Sequence, residues 1–66
     1  MMELGVQIKE YLEQRGIKQS WLAGMTGIDT VTLNCILKGN RRILAEEYFK
    51  ICHALGLPLE TFQRKK

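Results

Sequence analysis

A chain of 66 residues with a single proline and two cysteines makes one small domain. At that length folding buries only about 60% of the unfolded surface, so the core has little margin. The net charge of +3 suits a polyanionic partner without requiring one.

No apolar run is long enough to span a membrane. The N-terminus lacks the charged, apolar and small-residue regions of a signal peptide. Cys35 and Cys52 fall inside helical patterns rather than in a loop framework. They are therefore expected as reduced thiols of a cytoplasmic protein.

The first predicted helix covers about residues 3–15, with Leu4, Ile8, Tyr11 and Leu12 on one face and Lys9, Glu10 and Glu13 turned away. Gly16 ends it. The second covers about 18–25 and buries Leu22 and Ala23. Thr26-Gly27-Ile28 makes the turn, where a glycine takes positive φ without a Cβ penalty. Asp29 is the expected N-cap of a third helix, about 30–38, with Leu33, Ile36 and Leu37 as its apolar stripe and Gly39 as its stop. Asn40-Arg41-Arg42 reads as a polar, basic loop.

The fourth helix, about 45–55, is the most periodic, with Tyr48, Ile51, Cys52 and Leu55 on one face. Glu46 and Glu47 lie in its first turn, where the helix dipole favours them. Tyr48 and Phe49 are both expected mainly in the core. After Gly56, Pro58 opens a short fifth helix, about 58–63, whose Leu59 and Phe62 are expected to bury against helices one and four. The residues beyond Gln63 are expected to fray.

Two short helices meeting at a glycine turn, the second with a capping Asp and small polar residues, form the pattern of a helix-turn-helix over about 18–38. The charge distribution fits. Residues 18–45 carry Lys18, Lys38, Arg41 and Arg42 against Asp29 alone, and Arg64-Lys65-Lys66 closes the chain.

Gln19-Ser20-Trp21-Leu22-Ala23, then Thr26-Gly27-Ile28, Leu33, Ile36, Gly39 and finally Lys50-Ile51-Cys52-His53-Ala54-Leu55-Gly56-Leu57 resemble the Cro/C1-type (XRE) family of phage-repressor-like domains. The likeness covers roughly residues 4–62. It implies an all-α, compact five-helix domain, a two-fold homodimer, and transcriptional control through double-stranded DNA. Carried over by position, Thr30, Val31, Thr32 and Cys35 would face base edges, with Asn34 reaching a base or the backbone. Lys18, Gln19, Lys38, Asn40, Arg41 and Arg42 would hold phosphates. Thr30 and Val31 suit thymine methyls, so A·T-containing sites are expected. The resemblance leaves open whether the chain is a stand-alone regulator or the N-terminal part of a longer repressor.

Three departures from the family are visible. Many members pair an Arg on helix one with a Glu near the end of helix three. Those positions are Leu12 and Leu37 here, which are expected to touch, since exchanging an ion pair jointly for apolar residues is often neutral or stabilising. Lys18 replaces the usual Thr or Ser cap of helix two. It is either a poor cap or a phosphate-facing ammonium. Trp21, Gly24 and Met25 occupy the outer surface of helix two. Trp21 either lies over Gly24 and Met25 as a local lid or meets a protein. Phe49 and Phe62 are further candidates for a protein or dimer contact. Ser20 and Gly24 supply no acid on this surface, which favours repression over activation.

His53 beside Cys52 lacks the second His or spaced Cys of a metal site, and helical neighbours do not face each other. No nucleophile–base pair is present. The chain is expected to be neither an enzyme nor a carrier of a cofactor. The competing class is an antitoxin or another protein-interaction module of the same fold, contacting its partner through Trp21.

Overall fold

A computed structural model describes residues 4–62. Four α-helices follow one another: α1 Leu4–Arg15, α2 Gln19–Thr26, α3 Thr30–Leu37 and α4 Ala45–Leu55. A 3-10 turn, Leu59–Thr61, follows. Among the described residues every regular element is helical, as the sequence pattern requires. Glu3, at the expected start of the first helix, and the tail from Gln63 onward lie outside the described residues.

The apolar stripes read from the sequence are the ones that meet. Ile8 and Leu12 of α1, Leu22 and Ala23 of α2, Leu33, Ile36 and Leu37 of α3, and Ile51 and Cys52 of α4 form one cluster with Ile43 and Phe62. The helix α3 packs against both α1 and α2, and α2 packs against α4. Helix α3 is thus held from two sides by apolar burial, the dominant favourable term in folding. Leu12 and Leu37 both lie in this core, on the two helices that pack together.

Gly5 permits the closest of these approaches. A Cβ built there would lie 2.0 Å from the carbonyl oxygen of Ile36, so only glycine fits between α1 and α3. Apolar periodicity carries no signal for such a contact, because glycine contributes nothing to a stripe.

The chain's end corrects the five-helix expectation. Instead of a fifth α-helix there is one 3-10 turn. The Tyr48 hydroxyl faces the carbonyls of Leu59 and Phe62, the latter at 2.9 Å, which share its single proton. A tertiary donor satisfies carbonyls that a longer helix would otherwise pair internally. Phe62 is buried and meets Tyr11 edge-on, with ring centroids 5.6 Å apart and an interplanar angle of 89°. The Arg15 guanidinium carbon lies 4.9 Å from the centroid of the Tyr11 ring. Leu59 remains exposed, against expectation, because a single turn does not carry its side chain back to the helices.

Phe49 is also corrected. It is 60% exposed, not core. With Ile51 and Cys52 fixing the inward face of α4, the rotation of about 100° per residue puts Phe49 on the outer side with His53. Cys52 is buried and His53 exposed, as expected, and Cys35 and Cys52 are free thiols.

Candidate nucleic-acid interface

The turn between α2 and α3 is built from three residues. Gly27 takes φ of 75° and donates its N–H to the Ala23 carbonyl at 2.9 Å. Buried Thr26 donates its hydroxyl to the Leu22 carbonyl at 2.9 Å and accepts the Ile28 N–H at 3.2 Å. The last turn of α2 and the second residue beyond it are therefore tied by one side chain. Threonine here reads from sequence only as a turn residue; its double role needs burial to become visible. Asp29 then caps α3, accepting the N–H of Val31 at 3.1 Å and of Thr32 at 3.4 Å. At the other end Gly39 takes φ of 82°, and the Asn40 N–H reaches the Cys35 carbonyl at 3.0 Å.

With both ends fixed, the faces of α3 follow from its pitch. Leu33, Ile36 and Leu37 point into the core. The direction opposite them carries Val31, Asn34, Cys35 and, past the helix, Lys38. Val31 is 71% exposed, an unusual position for a β-branched apolar residue. Thr30 is exposed before it, and Thr32, Asn34 and Cys35 are half-buried. The expected base-facing residues thus share one helix, on which Thr30 and Val31 are the exposed pair.

The expected phosphate ligands flank this surface. Lys38, Asn40, Arg41 and Arg42 are all exposed in the segment that leaves α3. Lys18 is exposed just before α2, where it makes no side-chain cap, and Gln19 is half-buried at the first helical position.

One of these side chains has an unexpected partner. Arg41 forks onto Glu47 of α4, its Nη1 lying 3.0 Å from Oε1 and 3.1 Å from Oε2. Glu47 Oε1 also accepts the Leu44 N–H at 3.0 Å, which is half of a capping box, since leucine has no acceptor to complete it. Burial pushes the Glu47 carboxyl upward, but the Arg41 and Leu44 hydrogen bonds and the charges of Arg41 and Lys50 outweigh it, so its pKa lies below the ordinary 4.5. The spacing marks Glu47 as a capping residue three positions after Leu44, but it does not choose between Arg41 and Arg42 as its partner.

The candidate protein-contact residues divide. Trp21 and Met25 are 46% and 57% exposed on α2. Trp21 does not cover Gly24, because nothing lies within 4 Å of where a Gly24 Cβ would point. That removes the lid reading at Gly24. Phe49 is available at the surface. Phe62 is not, being enclosed by the core, so it is withdrawn as an outward contact. Phe49, Leu57 and Leu59 line an apolar groove with Lys50, Cys52 and His53, about 470 Å³ in volume.

No group of three or more His, Cys, Asp or Glu that could hold a metal occurs among the described residues. No described helix is long and apolar enough to cross a membrane. A family model described as helix-turn-helix matches residues 8–62, which takes in α2, the turn, α3 and α4. No curated protein and no solved structure matches the chain.

Proposed function

Because the chain belongs to the Cro/C1-type (XRE) helix-turn-helix family, a family of DNA-binding regulators that are generally not enzymes, we propose that it is a sequence-specific repressor. In this reading it acts in the cytoplasm as a homodimer and inserts α3 into the major groove. The observation that carries the reading is Val31, 71% exposed on a helix whose opposite face is wholly committed to the core. A solvent-facing valine bounded by Thr30, Asn34 and Cys35 matches a groove floor with thymine methyls better than it matches water. Around it Lys38, Asn40 and Arg42 are placed for phosphates, while Lys18 and Gln19 open α2 where helix amides favour an anion.

The dimer is supported by the groove lined by Phe49 and Leu59, two apolar side chains left exposed. Two-fold symmetry would bring two copies of α3 to half-sites about 34 Å apart. Repression is supported by the outer surface of α2, where Ser20 and Gly24 provide no acidic contact.

Selection from random duplexes tests the whole reading, since it returns half-site sequence, spacing and symmetry together. Paired half-sites containing A·T at the positions under Val31 are expected. A G-rich consensus under α3 contradicts the assignment of Val31 and Thr30 as readers.

A second reading is favoured by the exposure of Trp21 and Met25, which is the composition of a protein hot spot. It makes the chain an antitoxin-like module that binds a protein through α2. Stoichiometric co-purification of a protein, lost in Trp21→Ala, would favour it.

A further inference from the structure

We propose that Glu47 withholds Arg41 from the DNA backbone, so that Arg41 fixes the segment between α3 and α4 and Arg42 takes the phosphate. The inference rests on the DNA-binding reading above.

Arg41 and Arg42 are adjacent and equally charged, and the sequence gives no reason to separate them. The structure does. Both carboxylate oxygens of Glu47 lie within 3.1 Å of Arg41 Nη1, a charge-assisted fork. The pair is asymmetric: the Arg41 side chain is 39% exposed, the Glu47 side chain only 15%. Were Arg41 to move to a phosphate, Glu47 would lose its counter-charge at a site where water cannot fully replace it. Glu47 is also pinned by the Leu44 N–H at 3.0 Å, so it cannot follow the guanidinium outward. The carboxylate would then keep only the Leu44 N–H and the charge of Lys50 beside a polyanion. Each term favours keeping the fork closed in the complex. The charge of Arg41 is thereby neutralised within the protein, and it releases no counterion from DNA.

Mixed-sequence synthetic duplex is sufficient as a probe, because backbone binding needs no operator. The readout is the slope of log K against log salt, which changes by about 0.9 for each phosphate neutralised. A merely structural role for Glu47 does not move this slope. Glu47→Gln keeps an oxygen for the Leu44 N–H while removing the charge that holds Arg41, and a thermal melt verifies the fold. The freed Arg41 is expected to steepen the slope by about 0.9, tightening binding about eightfold at 0.1 M salt. The double variant Arg41→Ala with Glu47→Gln is expected to return to the wild-type slope, and Arg42→Ala to lose about 0.9. The proposal is overturned if Glu47→Gln leaves the slope unchanged and the double variant loses about 0.9, for Arg41 would then already touch phosphate in the wild-type complex. Wild-type protein without salt-dependent duplex binding would instead remove the regulator reading, and this inference with it.

Discussion

Gly5 of α1 lies against the main chain of Ile36 in α3, so closely that a β-carbon at Gly5 would fall 2.0 Å from the Ile36 carbonyl oxygen and 2.8 Å from its carbon. The neighbour is backbone in the helix that carries the candidate base contacts. It cannot swing aside as a flexible side chain would. The separation of α1 and α3, and with it the seating of α3, depends on the absence of one methyl group.

Gly5→Ala is accordingly expected to destabilise the fold. Alanine gains about 1 kcal/mol of helix propensity over glycine. Overpacking costs typically about 1–3 kcal/mol, and contact with rigid backbone places this site at the upper end. Urea denaturation should give a net loss of about 1–2 kcal/mol, with DNA affinity reduced because α3 is displaced. An unchanged midpoint would contradict the packing described here.

Gly24→Ala is the matched control with the opposite sign. Gly24 lies within α2 and faces open space, with no heavy atom within 4 Å of the added carbon. The same substitution should therefore stabilise, by about 0.5–1 kcal/mol, through propensity alone. Thermal melts of the two alanine variants, run side by side, separate helix propensity from helix packing in a single domain.

Lys18→Ser should exchange binding for stability. Lys18 occupies the N-cap of α2 with extended backbone angles, φ −81° and ψ 142°, and makes no cap hydrogen bond. Serine in that conformation can accept a first-turn N–H, stabilising by about 0.5–2 kcal/mol. If Lys18 faces phosphate, the same change lowers the salt slope of duplex binding by about 0.9. A stabilised variant with an unaltered slope would assign Lys18 as a tolerated poor cap and nothing more.

Tyr48 contributes to the loss of stability at alkaline pH. Its burial, together with the neighbouring Cys52 thiol, raises its pKa from 10.0 to about 12. A phenol whose single proton is shared by the carbonyls of Leu59 and Phe62 must keep it to bond them. Since the folded value lies above the unfolded one, this contribution is complete below about pH 10 and disappears as the pH rises toward 12. Tyr48→Phe should lower stability at pH 8 and flatten the decline between pH 10 and 12, measured as denaturation midpoint against pH. Glu47 acts in the opposite sense: its lowered pKa gives stability present above the unfolded value and lost as the pH falls through the folded one.

The residues legible beforehand share one property: their roles are local. Asp29 caps whatever helix follows it, Gly27 turns, and Leu33, Ile36 and Leu37 make a stripe at any orientation of that helix. The aromatic character of Phe49 points to the core, but its angle around α4 relative to Ile51 and Cys52 turns it outward. Phe62 is open to either burial or an outward contact by sequence and is enclosed, because Tyr11 and Tyr48 take its ring and its carbonyl. Arg41 and Arg42 were equivalent as charges until Glu47 distinguished them.

The sequence by itself determined four helices, their inward faces, the turn between α2 and α3, and the family. The helices, faces and turn follow from side-chain periodicity and from backbone preferences that act over a few residues, and the family from the likeness of the motif residues between Gln19 and Leu57. The tertiary structure alone decided that the fifth helix closes as a single 3-10 turn on the Tyr48 hydroxyl, that α1 and α3 meet through Gly5, and that Arg41 is neutralised while Arg42 is exposed. Each of these depends on a group distant in the chain or beyond the helix that carries the residue. A hydrogen bond, a steric gap or an ion pair between such groups exists only once the fold has brought them together.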